Sequence, residues 1–299
     1  MKKPFFYIIF LFFWSINLFA SEKKIHFIFT YPAGGGVDAQ GSELLNLLSP
    51  EFFSFEKHYF KSCSDALRFA SEKNNESNLV FILADIGDLI FSDPSLGSRC
   101  PPLQSLQDTL EPVTLLGSLP LFLCSSPNGR IRSVDDFFLL KKITVGYSST
   151  KTITLWAKDI EKNNNNIIMV PYSGGAALKT ALHSKEIDGF LGSNMVFEMM
   201  PQGSKCFMST AENDLGLPHI KEILRTSFTN WETIVWIGQF GQSDDKVNEI
   251  IFKKSQSKSY TDWLSNRNLS NASLTLPNKE STKETIIIKE KQINFYSTP

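Results

Sequence analysis

Two glycine clusters are the residues of this 299-residue chain best suited to hold a ligand. Gly34, Gly35 and Gly36 lie in "IHFIFTYPAGGGVDAQGSELLNLL", residues 25–48, and Gly174 and Gly175 in "IIMVPYSGGAALKTALHSKEIDGFLGS", residues 167–193. In both, an apolar run passes through a Tyr/Pro pair into glycines and then into a helical pattern. Glycines let the backbone turn N–H groups inward at a helix start, where the macrodipole favours an anion. Phosphate and carboxylate suit such a turn equally, and a plain βα turn that holds nothing is the third reading.

The phosphate readings fail on neighbouring residues. Gly34, Gly36 and Ala39 outline G-x-G-x-x-A, but no acid directly follows "HYF" (residues 58–60) to hold a ribose. Gly36 and Gly41 have P-loop spacing, yet Ser42 and Glu43 stand where a lysine and a hydroxyl residue belong. Asp38, in the first helical turn, either caps the turn's free amides or meets the ligand.

Composition excludes other classes. The first 20 residues join Lys2 and Lys3 to an apolar run ending at Ala20, the pattern of a cleaved signal peptide. An uncleaved anchor is the alternative. Without those two lysines, 28 basic residues (30 − 2) face 31 acidic ones, a balance that argues against nucleic acid as partner. His26, His58, His183 and His219 show no metal-ligand spacing, and no nucleophile motif is present. No cofactor or metal is therefore expected, and a hydrolase stays a minor alternative. The acid pairs Asp135/Asp136 and Asp244/Asp245 read as helix starts. Of four cysteines, Cys63 and Cys100 are the candidate bridge, while Cys124 and Cys206 read as buried strand thiols.

The elements that must carry the glycine turns alternate strand and helix. "IHFIFT", "HYF" and "NLVFILA" read as strands, and "VDAQGSELLNLL" and "CSDALRFASEK" as helices. A second series follows: "TLLGSLPLFLCS" as one long strand, "SVDDFFLLKK" as a helix capped by Ser133, then strand "ITVGYS", helix "TITLWAKDIEK", strand "IIMVPY", helix "AALKTALHSKE" and strand "IDGFLGS". Two α/β units in tandem, each with one anion-ready turn at the carboxyl end of a strand, predict two lobes facing across a cleft.

"YPAGGGVD", followed much later by "VPYSGGAALKTALHSKEIDGFLGS", resembles the periplasmic solute receptors of tripartite tricarboxylate transporters, the Bug or TctC-like family. "DTLEPVTLLGSLPLFLCSSPN", "GLPHIKEIL" and "WETIVWIGQFGQ" are similar to further stretches of that family, in the same order. The resemblance implies a type II periplasmic-binding-protein fold, two α/β lobes joined by two crossovers. Lobe 1 would comprise 21–120 plus 230–299, and lobe 2 would comprise 121–229. It further implies a periplasmic receptor that clasps a small carboxylate and meets membrane transporter subunits; a monomer is expected, and a sensor protein is the alternative partner. Carried over, the first-lobe contacts would be Pro32, Ala33, Gly34, Gly35, Gly36 and Asp38, and the second-lobe contacts Tyr172, Ser173, Gly174 and Gly175. Ala84, Ser149, Thr150, Lys151, Thr152 and Ser193 complete the candidate ligand set.

The chain departs from the family pattern at "GYSSTKTIT", where Tyr147, Ser149 and Lys151 replace a serine and two glycines, and at Gly192, where an acid is common. A rival of the same fold that presents its ligand to a sensor, or only makes protein contacts, therefore stands beside the transport reading.

Overall fold

The computed structural model describes residues 24–51, 54–85, 87, 109–127, 129–193, 196–197, 200–211, 216–224, 226 and 233–266. In chain order the elements are β1 (Ile25–Phe29), α1 (Gly36–Leu48), β2 (Phe55–Tyr59), α2 (Cys63–Asn75), β3 (Leu79–Asp85) and β4 (Leu110–Leu119). Then come β5 (Leu121–Ser125), α3 (Asp136–Leu139), β6 (Ile143–Ser148), α4 (Lys151–Asn163), β7 (Ile167–Tyr172), α5 (Gly175–His183), β8 (Gly189–Ser193) and β9 (Lys205–Ser209). The series closes with α6 (Ile220–Ile223), β10 (Thr233–Phe240), α7 (Asp245–Ser255) and α8 (Lys258–Asn266).

The strands form two five-stranded sheets, β2-β1-β3-β10-β4 and β7-β6-β8-β5-β9. Within each, the three βα strands run parallel and an antiparallel strand is inserted beside the third: β10 against β3, and β5 against β8. Every residue of β1 and β3 is buried, as both-sided helix cover of a parallel sheet demands. Helix α1 turns Val37, Leu44, Leu45 and Leu48 onto the sheet at helical spacing. Gly41 lies on that face: a Cβ there would come within 2.5 Å of the Leu83 and Phe29 side chains. Helix–sheet contact, not a phosphate loop, accounts for this glycine.

The expected long strand over 114–125 is two strands. Pro120 falls between β4 and β5, where its missing N–H and fixed φ end one ladder, and the chain passes from the first sheet to the second. The return leads to Thr233, which pairs with Leu119. At the passage Leu121 N–H donates to Thr210 Oγ1 and Thr210 N–H donates to the Leu121 carbonyl, both at 2.8 Å.

Two further expectations need correction. Ser133 does not cap a helix: α3 is a single turn starting after Asp135, and the Asp136 carboxylate instead accepts the N–H groups of Arg132 and Ser133. Cys124 and Cys206 are not free thiols but a disulfide, formed because β5 and β9 are neighbours with these residues in register. Cys63 is also disulfide-bonded, and its expected partner Cys100 lies outside the described residues. The signal-peptide reading of 1–20 lies outside them as well. Among the described residues no helix is long and apolar enough to cross a membrane.

In the second sheet, Asp188 ties the β8 approach to β6. It accepts Arg130 Nε–H at 2.7 Å and the Thr144 N–H at 2.9 Å. Burial alone would raise this carboxyl, but the Arg130 and Thr144 hydrogen bonds hold it below its ordinary value. A lowered folded pKa means stability present above the ordinary carboxylate range and lost as pH falls through the folded value. Asp188→Asn is expected to cost about 1–2 kcal/mol at pH 7, a charge-assisted value discounted for the exposed arginine. Denaturant titrations of both proteins should show this gap closing as pH falls below about 4.

Candidate functional site

The site lies where the carboxyl ends of the parallel strands of both sheets face one another. Tyr31, Pro32, Gly35, Gly36, Val37 and Asp85 come from the first sheet's side, and Ser148, Thr150, Ile153, Gly174, Gly175, Gly192, Ser193 and Val196 from the second. Leu121, at the passage between sheets, forms part of the floor. The cleft encloses a cavity of about 60 Å³ beneath an open mouth.

Gly35 is the N-cap residue of α1 and Gly174 that of α5, and neither start carries a side-chain cap. Helices α2, α4 and α7 do not share this: Ser62, Thr150 and Asp244 each accept an N–H from their own first turn. The first amides of a helix have no intrahelical partner. Two uncapped helix starts, one on each sheet, therefore border one cleft. Gly174 has φ +124°, a conformation that L side chains rarely adopt, so the second turn needs glycine for its backbone path. Gly35 has φ −99°, open to any residue, and a Cβ added to it would meet nothing within 4 Å. Its lack of a side chain keeps the cleft open.

Of the candidate residues, Pro32, Gly35, Gly36, Thr150, Gly174, Gly175 and Ser193 border the cleft. Ala33 and Gly34 lie at the exposed tip of the first turn. Gly34 N–H donates to Asp38 Oδ2 at 2.8 Å, while Asp38 Oδ1 accepts from Ser42 Oγ at 2.9 Å and Tyr59 OH at 2.7 Å. Asp38 thus braces the turn against helix and strand. Burial, then the hydrogen bond to Asp38, pushes the Tyr59 phenol up to about 12, so it stays a donor. Ala84 is fully buried in the packing between the sheet and α2. Ser149 is exposed, its N–H bonded to the Tyr172 carbonyl, and Ser173 is exposed beside it. The Tyr172 phenol donates to Glu186 at 2.8 Å and is likewise pushed up to about 12, by burial first. Lys151 opens α4. Thr152 is buried, and its Oγ1 donates across the cleft to Asp85 Oδ1 at 3.2 Å.

Asp85 is the main residue that sequence reading missed. It ends β3 at 2% exposure, accepts the Gly87 N–H at 2.7 Å, and joins the first sheet to the start of α4. The available signal was an acid closing the apolar run "VFILAD" at a strand's carboxyl end, where open α/β sheets bind ligands.

No protein-family model matches the sequence, and no curated protein matches it either. Solved structures do. The periplasmic binding protein BugD is similar over 91% of this chain and 95% of its own, at TM-score 0.64 and 14% identity. MatC of Rhodopseudomonas palustris, solved with bound malate, covers 91% of this chain and 99% of its own, at TM-score 0.64 and 13% identity. A second R. palustris protein, solved with adipate, covers 93% and 96%, at TM-score 0.66 and 14% identity. The chain has the type II periplasmic-binding-protein fold: two mixed α/β sheets with flanking helices, in two lobes.

Proposed function

We propose that this protein is an exported solute receptor that captures a small carboxylated solute between its lobes for a membrane transporter of the tripartite tricarboxylate type. One observation carries the reading: the uncapped starts of α1 and α5 border a single cleft from opposite sheets. Backbone N–H groups aimed at a carboxylate make charge-assisted hydrogen bonds, the strong kind, and need no arginine. Pro32, Gly35 and Gly36 would hold the acid from lobe 1 (21–120 plus 230–299), and Thr150, Gly174, Gly175 and Ser193 from lobe 2 (121–229). Proteins of this fold solved with malate and adipate support a carboxylate in this cleft. The Cys124–Cys206 bridge supports an oxidising compartment, hence the periplasm. Ligand binding biases the lobes toward closure, and the membrane partner reads the closed form.

Asp85 narrows the ligand class. An ionised Asp85 in the same cleft would repel a second ligand carboxylate, so monocarboxylates and acids with a hydrogen-bond-donating far end would be favoured over dicarboxylates such as the malate and adipate of the two R. palustris proteins. Calorimetric titration of the protein and its Asp85→Asn variant with paired mono- and dicarboxylates tests both points. Dicarboxylate affinity should rise about tenfold relative to monocarboxylate in the variant, the worth of roughly 1.4 kcal/mol of relieved repulsion. An unchanged ratio removes Asp85 from selectivity, and no binding of either class by either protein removes the receptor reading.

A further inference from the structure

The edge of the first sheet brings together three ligating side chains that the cleft does not use. His26 lies on β1, and Glu56 and His58 lie on β2. The parallel register sets His26 beside Glu56 and Ile28 beside His58, so the alternation of side chains puts all three on one face. His26 Nδ1 lies 3.0 Å from His58 Nε2, and Glu56 Oε2 lies 3.5 Å from the first and 3.6 Å from the second. Zinc bonds of about 2.0–2.2 Å in tetrahedral geometry place ligand atoms about 3.3–3.6 Å apart. The observed triangle is close to one face of that tetrahedron.

The surroundings suit such a face. Glu56 Oε1 accepts Lys24 Nζ at 3.1 Å, which leaves Oε2 toward the imidazoles and gives the carboxylate an outer partner. The Phe69 ring packs against both imidazoles and fixes their planes. His26 is buried, and among the described residues its Nε2 has no hydrogen-bond partner, so its polar contacts there run through Nδ1. His58 and Glu56 are partly exposed, which opens the fourth position to water. Lys73, the other cation nearby, is paired with Glu76 at 3.0 Å.

We propose that His26 Nδ1, His58 Nε2 and Glu56 Oε2 form a site for a zinc-class divalent cation, completed by water, that fastens edge strand β2 to β1. Two imidazoles and one carboxylate select zinc, cobalt, nickel or copper over magnesium and calcium. His26 is four residues upstream of Thr30, so the site stands about 13 Å along the strand from the cleft end and is independent of the solute.

The test uses purified, tag-free protein stripped with a chelator and titrated with zinc against a fluorescent indicator. One equivalent should bind, the unfolding midpoint should rise with zinc, and cobalt should give the visible absorption of a tetrahedral site. His58→Ala and Glu56→Gln, both at partly exposed positions, should each weaken binding at least tenfold with the metal-free midpoint close to the parent's. The proposal falls if no saturable equivalent binds, which would leave the imidazoles as a plain N–H···N pair. It falls equally if both folded variants bind zinc as the parent does, which would place the metal elsewhere, for instance at His183 or His219.

Discussion

Replacing Cys124 and Cys206 together by alanine is expected to lower the unfolding free energy by about 4 kcal/mol. The bridge closes a sequence separation of 82 residues that spans most of the second sheet's strands and helices. Freed from that constraint, the unfolded chain gains roughly 4.5 kcal/mol of conformational entropy at 25 °C on the chain-entropy account. In the folded state β5 and β9 remain paired by their ladder, so the native fold should persist and the loss should show as a lower urea midpoint. The double variant is a cleaner probe than a reductant, which would also open the bridge at Cys63. An unchanged midpoint would mean that the 124–206 bridge does not constrain the unfolded chain.

The second large effect is on binding. Gly35→Val should weaken carboxylate binding at least tenfold while moving the unliganded midpoint by no more than the ~1 kcal/mol expected of a poorer N-cap residue. The backbone at Gly35 is extended and the space beside it is open, so a valine fits without displacing protein atoms. Its methyl groups would instead lie in the cleft, over the free amides at the start of α1. Calorimetry of the folded variant reads the result. Retained affinity would reduce the first glycine turn to a connector. Gly174→Val is a poorer probe, because positive φ would add backbone strain to the block.

Much of this architecture can be read from the chain itself. The alternation of short apolar runs with helical patterns marks most of the strands and helices, and "TYPAGGGVD" and "VPYSGG" mark the two turns that border the cleft. What stays hidden has a common physical cause: it depends on partners distant in sequence. Nothing near Cys124 points to Cys206, because only the antiparallel pairing of β5 and β9 makes them neighbours. His26 and His58 look unrelated at a spacing of 32 residues until the register of β1 and β2 stacks them. Asp85 reads as the polar end of a strand, and its place opposite Thr152 needs both lobes. Local chemistry also misled. "TLLGSLPLFLCS" is apolar throughout, and only Pro120 betrays the passage between sheets. Tyr172, beside a glycine turn, donates its hydroxyl to Glu186.

The central claim is that the cleft between the lobes holds a carboxylate. Thermal unfolding of the purified protein against mono-, di- and tricarboxylates, amino acids, aromatic acids and nucleotides tests it most directly. A ligand at about a hundred times its dissociation constant adds roughly 2.7 kcal/mol of stability, enough to raise the midpoint visibly. The expected result is a rise confined to carboxylates, reduced by Gly35→Val and led by ligands with a single carboxylate. A rise with nucleotides alone, or a flat response across the panel from folded protein, would contradict it.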